Sequence, residues 1–140
     1  MAPPALIEMT EMFLNVPVVA GRIPDTVGRI ARFGASAGCD EETCFQVQVM
    51  VAEALNNIVC HGLPGDTAGS IAIHCATTES GLEITIRDNG LPLDRMPNAA
   101  FPDARAEHGR GWPIILEWAD SVEYRSTPGH NDLKLIKRLS

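Results

Sequence analysis

Hydrophobic and polar residues follow two different periods along the chain, and each period predicts a different kind of element. Apolar residues at the three-and-four spacing of a helix predict helices at residues 24–36, 40–62 and 112–120. Asp40 is a plausible N-cap for the second helix, and Gly62 closes it. Five other segments predict strands. They are residues 11–19, 70–78, 82–88, 121–127 and 132–139.

The connections between these segments predict the fold class. Residues 70–78 and 82–88 alternate in steps of two and are separated by three residues, which favours a β-hairpin. Residues 128–131 are predicted to form the turn of a second hairpin. The element order predicts an α+β, two-layer sandwich: a mostly antiparallel (mixed) five-stranded sheet with three helices on one face. We expect a single domain over residues 1–140, loosely ordered at residues 1–9.

One long segment fits neither period. Residues 89–111 hold three prolines and three glycines with little periodicity. Long irregular segments inside compact domains tend to be functional. We therefore expect residues 91–110 to form a lid over a ligand.

Composition narrows the classes of function. The net charge of −7 and the pI of about 4.9 disfavour direct nucleic-acid binding, which needs a cationic face. The four cysteines form no metal-site spacing, which favours reduced thiols in a cytoplasmic protein. The first residues lack the features of a secretory signal, and no apolar run is long enough to span a membrane. We expect a cytoplasmic protein.

The helix predicted at 40–62 carries a polar sector. With Glu53 at zero, Gln46, Asn57 and His61 lie at about +20°, +40° and +80°, and Asn56 lies at about −60°. Glu53 and Asn57 are one turn apart, and together they offer a proton acceptor and a neutral oxygen ligand for Mg²⁺. Taken alone, the pair is more typical of a surface glutamate beside a helix-end asparagine.

Two further motifs suit a nucleotide. Asp88 ends a predicted strand, where its carboxylate can accept a hydrogen bond from the exocyclic amine of adenine, and Gly90 lets the backbone approach a flat ring. Gly109 and Gly111 precede a helix, where free N–H groups and the helix dipole favour a triphosphate. Taken alone, the first motif is more typical of a strand-ending Asn-Gly turn, and the second is weak and compatible with a simple tight turn.

The three motifs in this order resemble the N, G1 and G2 boxes of the GHKL ATPases, the nucleotide-binding fold of histidine kinases, gyrase and certain chaperones. The segments "AEALNNIVCHG" and "DNGLPLD" are most similar to the anti-sigma factor and serine-kinase branch of bacterial partner-switching systems. The resemblance spans nearly the whole chain and implies the Bergerat ATP-binding fold.

The resemblance implies a role for each matched residue. Glu53 would be the general base for a substrate serine, and Asn57 would bind Mg²⁺. Asp88 would read adenine and Gly90 would form the floor of its pocket. The backbone at Gly109 and Gly111 would hold the phosphates of ATP. Pro92 and Asp94 match the usual continuation into the lid.

The chain also departs from the family pattern. Members of this branch often carry an arginine just before the first glycine of the G2 box, where Glu107 and His108 stand here. Arg105 or Arg110 would then be needed to meet the γ-phosphate. Trp112 is bulkier than the small residues usual at its position, and no role follows for His61.

The resemblance implies an ATP-dependent serine/threonine-protein kinase and anti-sigma factor, which binds a sigma factor and phosphorylates a STAS-type antagonist on serine. It also implies a homodimer. Two alternatives stay open at this point. One is an ATP-gated binding module with little or no kinase activity, and the other is a switch kinase whose target is not a sigma factor.

Overall fold

The computed structural model describes residues 10–17, 20–59, 70–90 and 111–139. In these ranges the chain forms five strands, three α-helices and one short 3-10 helix. In chain order they are β1 (Glu11–Pro17), the 3-10 helix (Ala20–Arg22), α1 (Ile23–Ser36), α2 (Glu41–Asn57), β2 (Ser70–Thr78), β3 (Gly81–Asp88), α3 (Gly111–Trp118), β4 (Ser121–Thr127) and β5 (His130–Lys137). The predictions for residues 1–9, for the lid at 91–110 and for a helix end at Gly62 lie outside the described residues.

The five strands form one sheet in the order β1-β2-β3-β5-β4, and all four neighbouring pairs are antiparallel. The β2–β3 and β4–β5 hairpins join strands that are consecutive in the chain, whereas β3 pairs with β5 after the chain has passed through α3 and β4. This pairing places Asp88, at the end of β3, opposite Asn131, near the start of β5. The predicted α+β class is confirmed, with every described pair antiparallel.

Period-two alternation builds the core from one face of the sheet. Leu82, Ile84 and Ile86 of β3 are buried, while Glu83 and Arg87 point to the opposite face. Apolar residues of the helices pack on that buried face. The fully buried helix residues include Ile30, Met50, Val51, Leu55 and Ile115. The other face carries ion pairs, among them Arg87–Asp132 and Glu83–Lys134.

Local chemistry sets the helix boundaries. The Asp40 carboxylate accepts a hydrogen bond from the Thr43 backbone N–H at 2.8 Å and caps α2, as predicted. This hydrogen bond lowers the pKa of Asp40. Pro24 lies in the first turn of α1, and Gly38 follows its end with φ +104°, a left-handed conformation that glycine adopts without strain.

Several predicted boundaries differ from the structure. The second hairpin turns through Pro128 and Gly129 alone, where Gly129 has φ +102°, so the strand resumes at His130 rather than at residue 132. That strand ends at Lys137 rather than at residue 139, and α3 ends at Trp118 rather than at residue 120. The predicted end of β1 at residue 19 lies outside the described residues. In the described ranges, no helix combines the length and apolar character needed to cross a membrane.

Candidate functional site

The carboxylate of Asp88 lies at the end of β3, with only 6% of the residue exposed. Its Oδ1 accepts a hydrogen bond from the Gly90 N–H at 2.8 Å and another from the Asn131 amide at 3.0 Å. No donor among the described residues is bonded to Oδ2. One oxygen is therefore held inside the protein, and the other keeps its capacity as an acceptor.

The bond from Gly90 closes a turn of the kind that aspartate side chains form with the backbone two residues ahead. A second bond, from the Ser70 N–H to the Asn89 side-chain oxygen at 3.0 Å, ties this turn to the start of β2. The tight turn considered as an alternative for this motif is therefore present. Because it uses only Oδ1 of Asp88, it is compatible with a ligand on the second oxygen.

Asn131 belongs to this site and was missed from the sequence. It is 2% exposed, and its amide nitrogen donates to Asp88 Oδ1 and to the Gly90 carbonyl, both at 3.0 Å. Its Oδ1 accepts a hydrogen bond from the Ser126 hydroxyl at 2.7 Å. The prediction placed Asn131 in a four-residue turn, and recognising a two-residue Pro-Gly turn would have moved it into the strand.

The polar sector of α2 is only partly exposed. Glu53 and Asn57 are half-buried, and Met50, which shares their sector, is fully buried. The Asn57 amide nitrogen is buried and has no hydrogen-bond partner among the described residues. Asn56, by contrast, is exposed. The structure thus separates the two adjacent asparagines, and only Asn57 carries a buried polar atom that needs a partner.

Asn57 fits a cation site on this observation. A buried amide without a partner is rare and costs about 1–3 kcal/mol. A half-turn about the Cβ–Cγ bond exchanges its nitrogen and oxygen, so the same buried position can hold a carbonyl oxygen, a ligand suited to Mg²⁺. The described ranges hold no group of three or more histidine, cysteine, aspartate or glutamate side chains that could bind a metal alone. This is compatible with Mg²⁺, which commonly takes one protein ligand together with water and phosphates.

The phosphate end of the predicted site is described only in part. Gly111 begins α3 and Trp112 follows it in the first turn, while Arg105, Gly109, Arg110 and the unassigned His61 lie outside the described residues. The far end of α3 is anchored, since the Lys137 ammonium donates to the Trp118 carbonyl at 2.7 Å. Helix α3 also packs on α2, with the Trp118 ring 6.2 Å from that of Phe45.

The structure brings some predicted residues together and leaves others apart. Asp88 and Gly90 form one hydrogen-bonded unit with Asn131. No hydrogen bond joins this unit to Glu53 or Asn57 in the part of the chain that the structure describes. Their use by a single ligand therefore stays a prediction.

Comparison with known families gives an independent result. Residues 17–137 match the family described as the histidine kinase-like ATPase domain. The match extends from the end of β1 to the end of β5 and covers all the described elements of the site.

Similar proteins include several anti-sigma F factors. That of Oceanobacillus iheyensis is 32% identical over 59% of this chain and 60% of its own length. The protein of Halalkalibacterium halodurans is 30% identical over 64% of this chain and 63% of its length, and that of Bacillus thuringiensis is 27% identical over 79% and 80%. The chain thus spans about three fifths of the length of the first two relatives.

Solved structures share the fold. The structure of the RsbU and RsbW domains of a Mycobacterium tuberculosis protein superposes with a TM-score of 0.70 at 15% identity, covering 94% of this chain and 33% of that one. A histidine kinase domain from Erythrobacter litoralis gives a TM-score of 0.54 at 16% identity, covering 89% and 62%. At these identities the similarity is one of architecture.

Proposed function

Because the chain belongs to the histidine kinase-like ATPase family, we propose that it is an ATP-dependent protein serine/threonine kinase that also acts as an anti-sigma factor. It would bind a sigma factor and phosphorylate a STAS-type antagonist on serine. The observation that carries the nucleotide half of this proposal is the Asp88 carboxylate, held through one oxygen and open to a ligand through the other. The names of the relatives support the anti-sigma half.

Asp88 recognises adenine in this proposal. An ionised carboxylate is an acceptor only, so its second oxygen is suited to the exocyclic amine of adenine. Guanine carries a carbonyl at the same ring position. The carbonyl oxygen and the Asp88 carboxylate oxygen are both acceptors, so no proton would lie between them. Leaving buried polar groups unpaired in this way is a strong source of selectivity. Gly90, with no side chain, keeps the adjoining backbone accessible to the ring.

Helix α2 carries the acid–base chemistry and the metal ligand. Glu53 accepts the proton of the attacking serine hydroxyl as the bond to the γ-phosphorus forms. Asn57 would hold Mg²⁺ through its side-chain oxygen, once a half-turn of the amide brings that oxygen to the buried position where the nitrogen has no partner among the described residues. When bound, Mg²⁺ neutralises charge that develops on the phosphate oxygens. The i,i+4 spacing keeps both side chains on the same side of the helix.

The phosphates complete the proposed site at the start of α3. Backbone N–H groups at Gly109 and Gly111 would bind them, and Trp112 would contribute to the same site. Arg105 or Arg110 supplies the positive charge that phosphoryl transfer requires. The lid predicted at residues 91–110 would close over the nucleotide.

Partner exchange follows from the chemistry of the product. Phosphorylation adds about 1.5 to 2 negative charges to the antagonist serine. The chain has a net charge of −7, so repulsion would favour release of the phosphorylated antagonist. The freed kinase then binds its sigma factor. We place the protein in the cytoplasm as a homodimer, without direct contact to nucleic acid or membrane.

The proposal is tested by incubating the protein with Mg-ATP and a STAS-type antagonist and measuring phosphoserine. Glu53→Gln is expected to lower the phosphorylation rate by roughly 100-fold or more while leaving ATP binding intact. Glu42→Gln, which changes an exposed carboxylate in the first turn of the same helix, is the matched control. Equal rates for wild type and Glu53→Gln would remove the general base from the proposal.

A second candidate function is favoured by one feature of the sequence. Glu107 and His108 stand where kinases of this branch often carry an arginine, which favours an ATP-gated binding module with little phosphotransfer. ATP binding with no phosphoserine in the wild-type protein would select it. A pull-down of the nucleotide-bound protein with purified sigma factors then separates an anti-sigma factor from a kinase with another downstream target.

A further inference from the structure

Every hydrogen-bonding group of the Asn131 amide is used, although the side chain is almost completely buried. Both N–H groups of its nitrogen donate, one to Asp88 Oδ1 and one to the Gly90 carbonyl, and its oxygen accepts from Ser126. Buried polar networks rigidify a site when they are fully satisfied. This network joins β5 to the end of β3 and to the turn that follows it.

Asp88 Oδ1 and the Gly90 carbonyl determine which way the Asn131 amide faces. If the amide were reversed, its oxygen would lie against Asp88 Oδ1 and the Gly90 carbonyl, which are both acceptors. The observed orientation is therefore the only one of the two that pairs donors with acceptors at all three contacts. It places two donors on Asp88 Oδ1, counting the Gly90 N–H at 2.8 Å.

From this network we infer that Asn131 is a positioning residue that sets the base selectivity of the nucleotide site. It fixes the Asp88 carboxylate so that a single oxygen, with acceptor character only, faces the base. This inference rests on the proposed binding of ATP and goes beyond it, because it assigns selectivity for a 6-amino purine to a residue that does not itself touch the base.

The test compares two nucleotides that differ in a single group. ATP and purine riboside triphosphate differ only in the 6-amino group, so the ratio of their affinities isolates the contact with Asp88. Wild-type protein is expected to prefer ATP by roughly tenfold or more, the effect of one hydrogen bond to a charged acceptor. Affinities of the full chain are measured by isothermal titration calorimetry with Mg²⁺ present.

In Asn131→Asp, the new side chain has the shape of asparagine but carries an oxygen where the donor nitrogen was. That oxygen repels the Asp88 carboxylate and the Gly90 carbonyl. We expect the ratio of affinities to fall to about threefold or less, while purine riboside triphosphate still binds. Asp132→Asn is the matched control: the next residue of β5 points to the opposite face and pairs with Arg87. Its ratio is expected to equal that of wild type.

Ser126→Ala provides a second perturbation that leaves Asn131 in place. It removes the donor to the Asn131 oxygen from an exposed strand position, and we expect a smaller fall in the ratio. If circular dichroism shows that Asn131→Asp is unfolded, Ser126→Ala tests whether Asn131 sets the ratio of the two affinities.

The outcomes separate this inference from the proposed function. If both nucleotides lose affinity by the same factor in folded Asn131→Asp or Ser126→Ala, Asn131 is merely structural and the inference is overturned. If wild type does not distinguish the two nucleotides, or binds neither, adenine recognition by Asp88 fails and the proposed function fails with it.

Discussion

Asn57→Leu is expected to stabilise the nucleotide-free protein and to abolish its response to Mg-ATP. The side chain buries an amide nitrogen that has no hydrogen-bond partner in the part of the chain that the structure describes. Leaving such a group unpaired costs about 1–3 kcal/mol, and leucine has the same branching without polar atoms. Leucine is also the better helix former.

The magnitude can be expressed as a melting temperature. Unfolding entropy of about 2.1 cal/mol/K per residue gives a domain of this length a shift of about 3 °C for each kcal/mol. The expected gain is therefore roughly 3–10 °C, measured by differential scanning calorimetry without Mg²⁺ or nucleotide. Denaturant titration gives the free energy of unfolding as a second measure.

The same substitution removes the proposed oxygen ligand. Wild-type protein should gain about 2.7 kcal/mol when Mg-ATP is present at 100 times its dissociation constant. Asn57→Leu is expected to lose most of the part of this gain that depends on Mg²⁺. A variant that is more stable alone but less responsive to ligand would show that Asn57 is retained for binding.

Two variants control the experiment. Asn56→Leu changes the exposed neighbour and should alter stability by no more than about 0.5 kcal/mol, with the Mg-ATP response intact. Asn57→Ala removes the amide without adding volume and so separates polarity from overpacking. If both Asn57 variants are less stable than wild type by more than 1 kcal/mol, the amide has a stabilising partner and the reasoning is refuted.

Three further predictions follow from other parts of the structure. Asp88→Asn presents a donor in place of the free carboxylate oxygen, so competition binding should show ATP affinity falling by roughly 10- to 100-fold and inosine triphosphate, which has a carbonyl at that position, losing far less; an equal loss for both would contradict it. The hydrogen-bonded ion pair with Arg87 lowers the pKa of Asp132. A carboxyl group whose pKa is lowered on folding stabilises the fold at pH values above its pKa in the unfolded chain. Arg87→Gln should therefore have a lower melting temperature than wild type at neutral pH, and the difference should shrink as the pH falls below about 4. A difference that stays constant with pH would exclude the ion pair as its cause. Burial raises the pKa of Cys75 to about 12, so mass spectrometry should find iodoacetamide on Cys75 only after unfolding, and rapid labelling of the native protein would show that the thiol is accessible.

The sequence was sufficient to predict the helices and strands because the spacing of apolar residues in each element reflects the burial of one of its faces. In β3, Leu82, Ile84 and Ile86 are buried. Glu83 and Arg87 point to the opposite face, as the alternation of the sequence predicts. The N-cap at Asp40 could also be predicted from the sequence, since it depends on a backbone N–H only three residues away. Both features are local, so no knowledge of the remaining chain was needed.

Asn131 shows where local reasoning failed. Reading residues 128–131 as one turn ended the strand at residue 132 and left Asn131 outside it. The side chains of a strand alternate between faces, so extending β5 back to His130 puts Asn131 on the same face as Leu133 and Leu135. Even the corrected turn would not have identified Asp88 as its partner, because β5 pairs with β3 only after the chain has returned through α3 and β4.

The same limit explains why two sequence motifs had two interpretations each. For Asp88, a tight turn and a ligand site were treated as alternatives, yet the carboxylate has two oxygens and the turn takes only one of them. For α2, helical angles separate Asn56 from Asn57 by about 100°. Only three-dimensional packing shows that Asn56 is exposed and that the amide nitrogen of Asn57 is buried with no partner within the described ranges. Periodicity assigns a residue to a face of its element. The hydrogen bonds of each polar atom on that face depend on distant segments: those of Asp88 use one of its two oxygens, whereas the described residues leave the buried amide nitrogen of Asn57 without any.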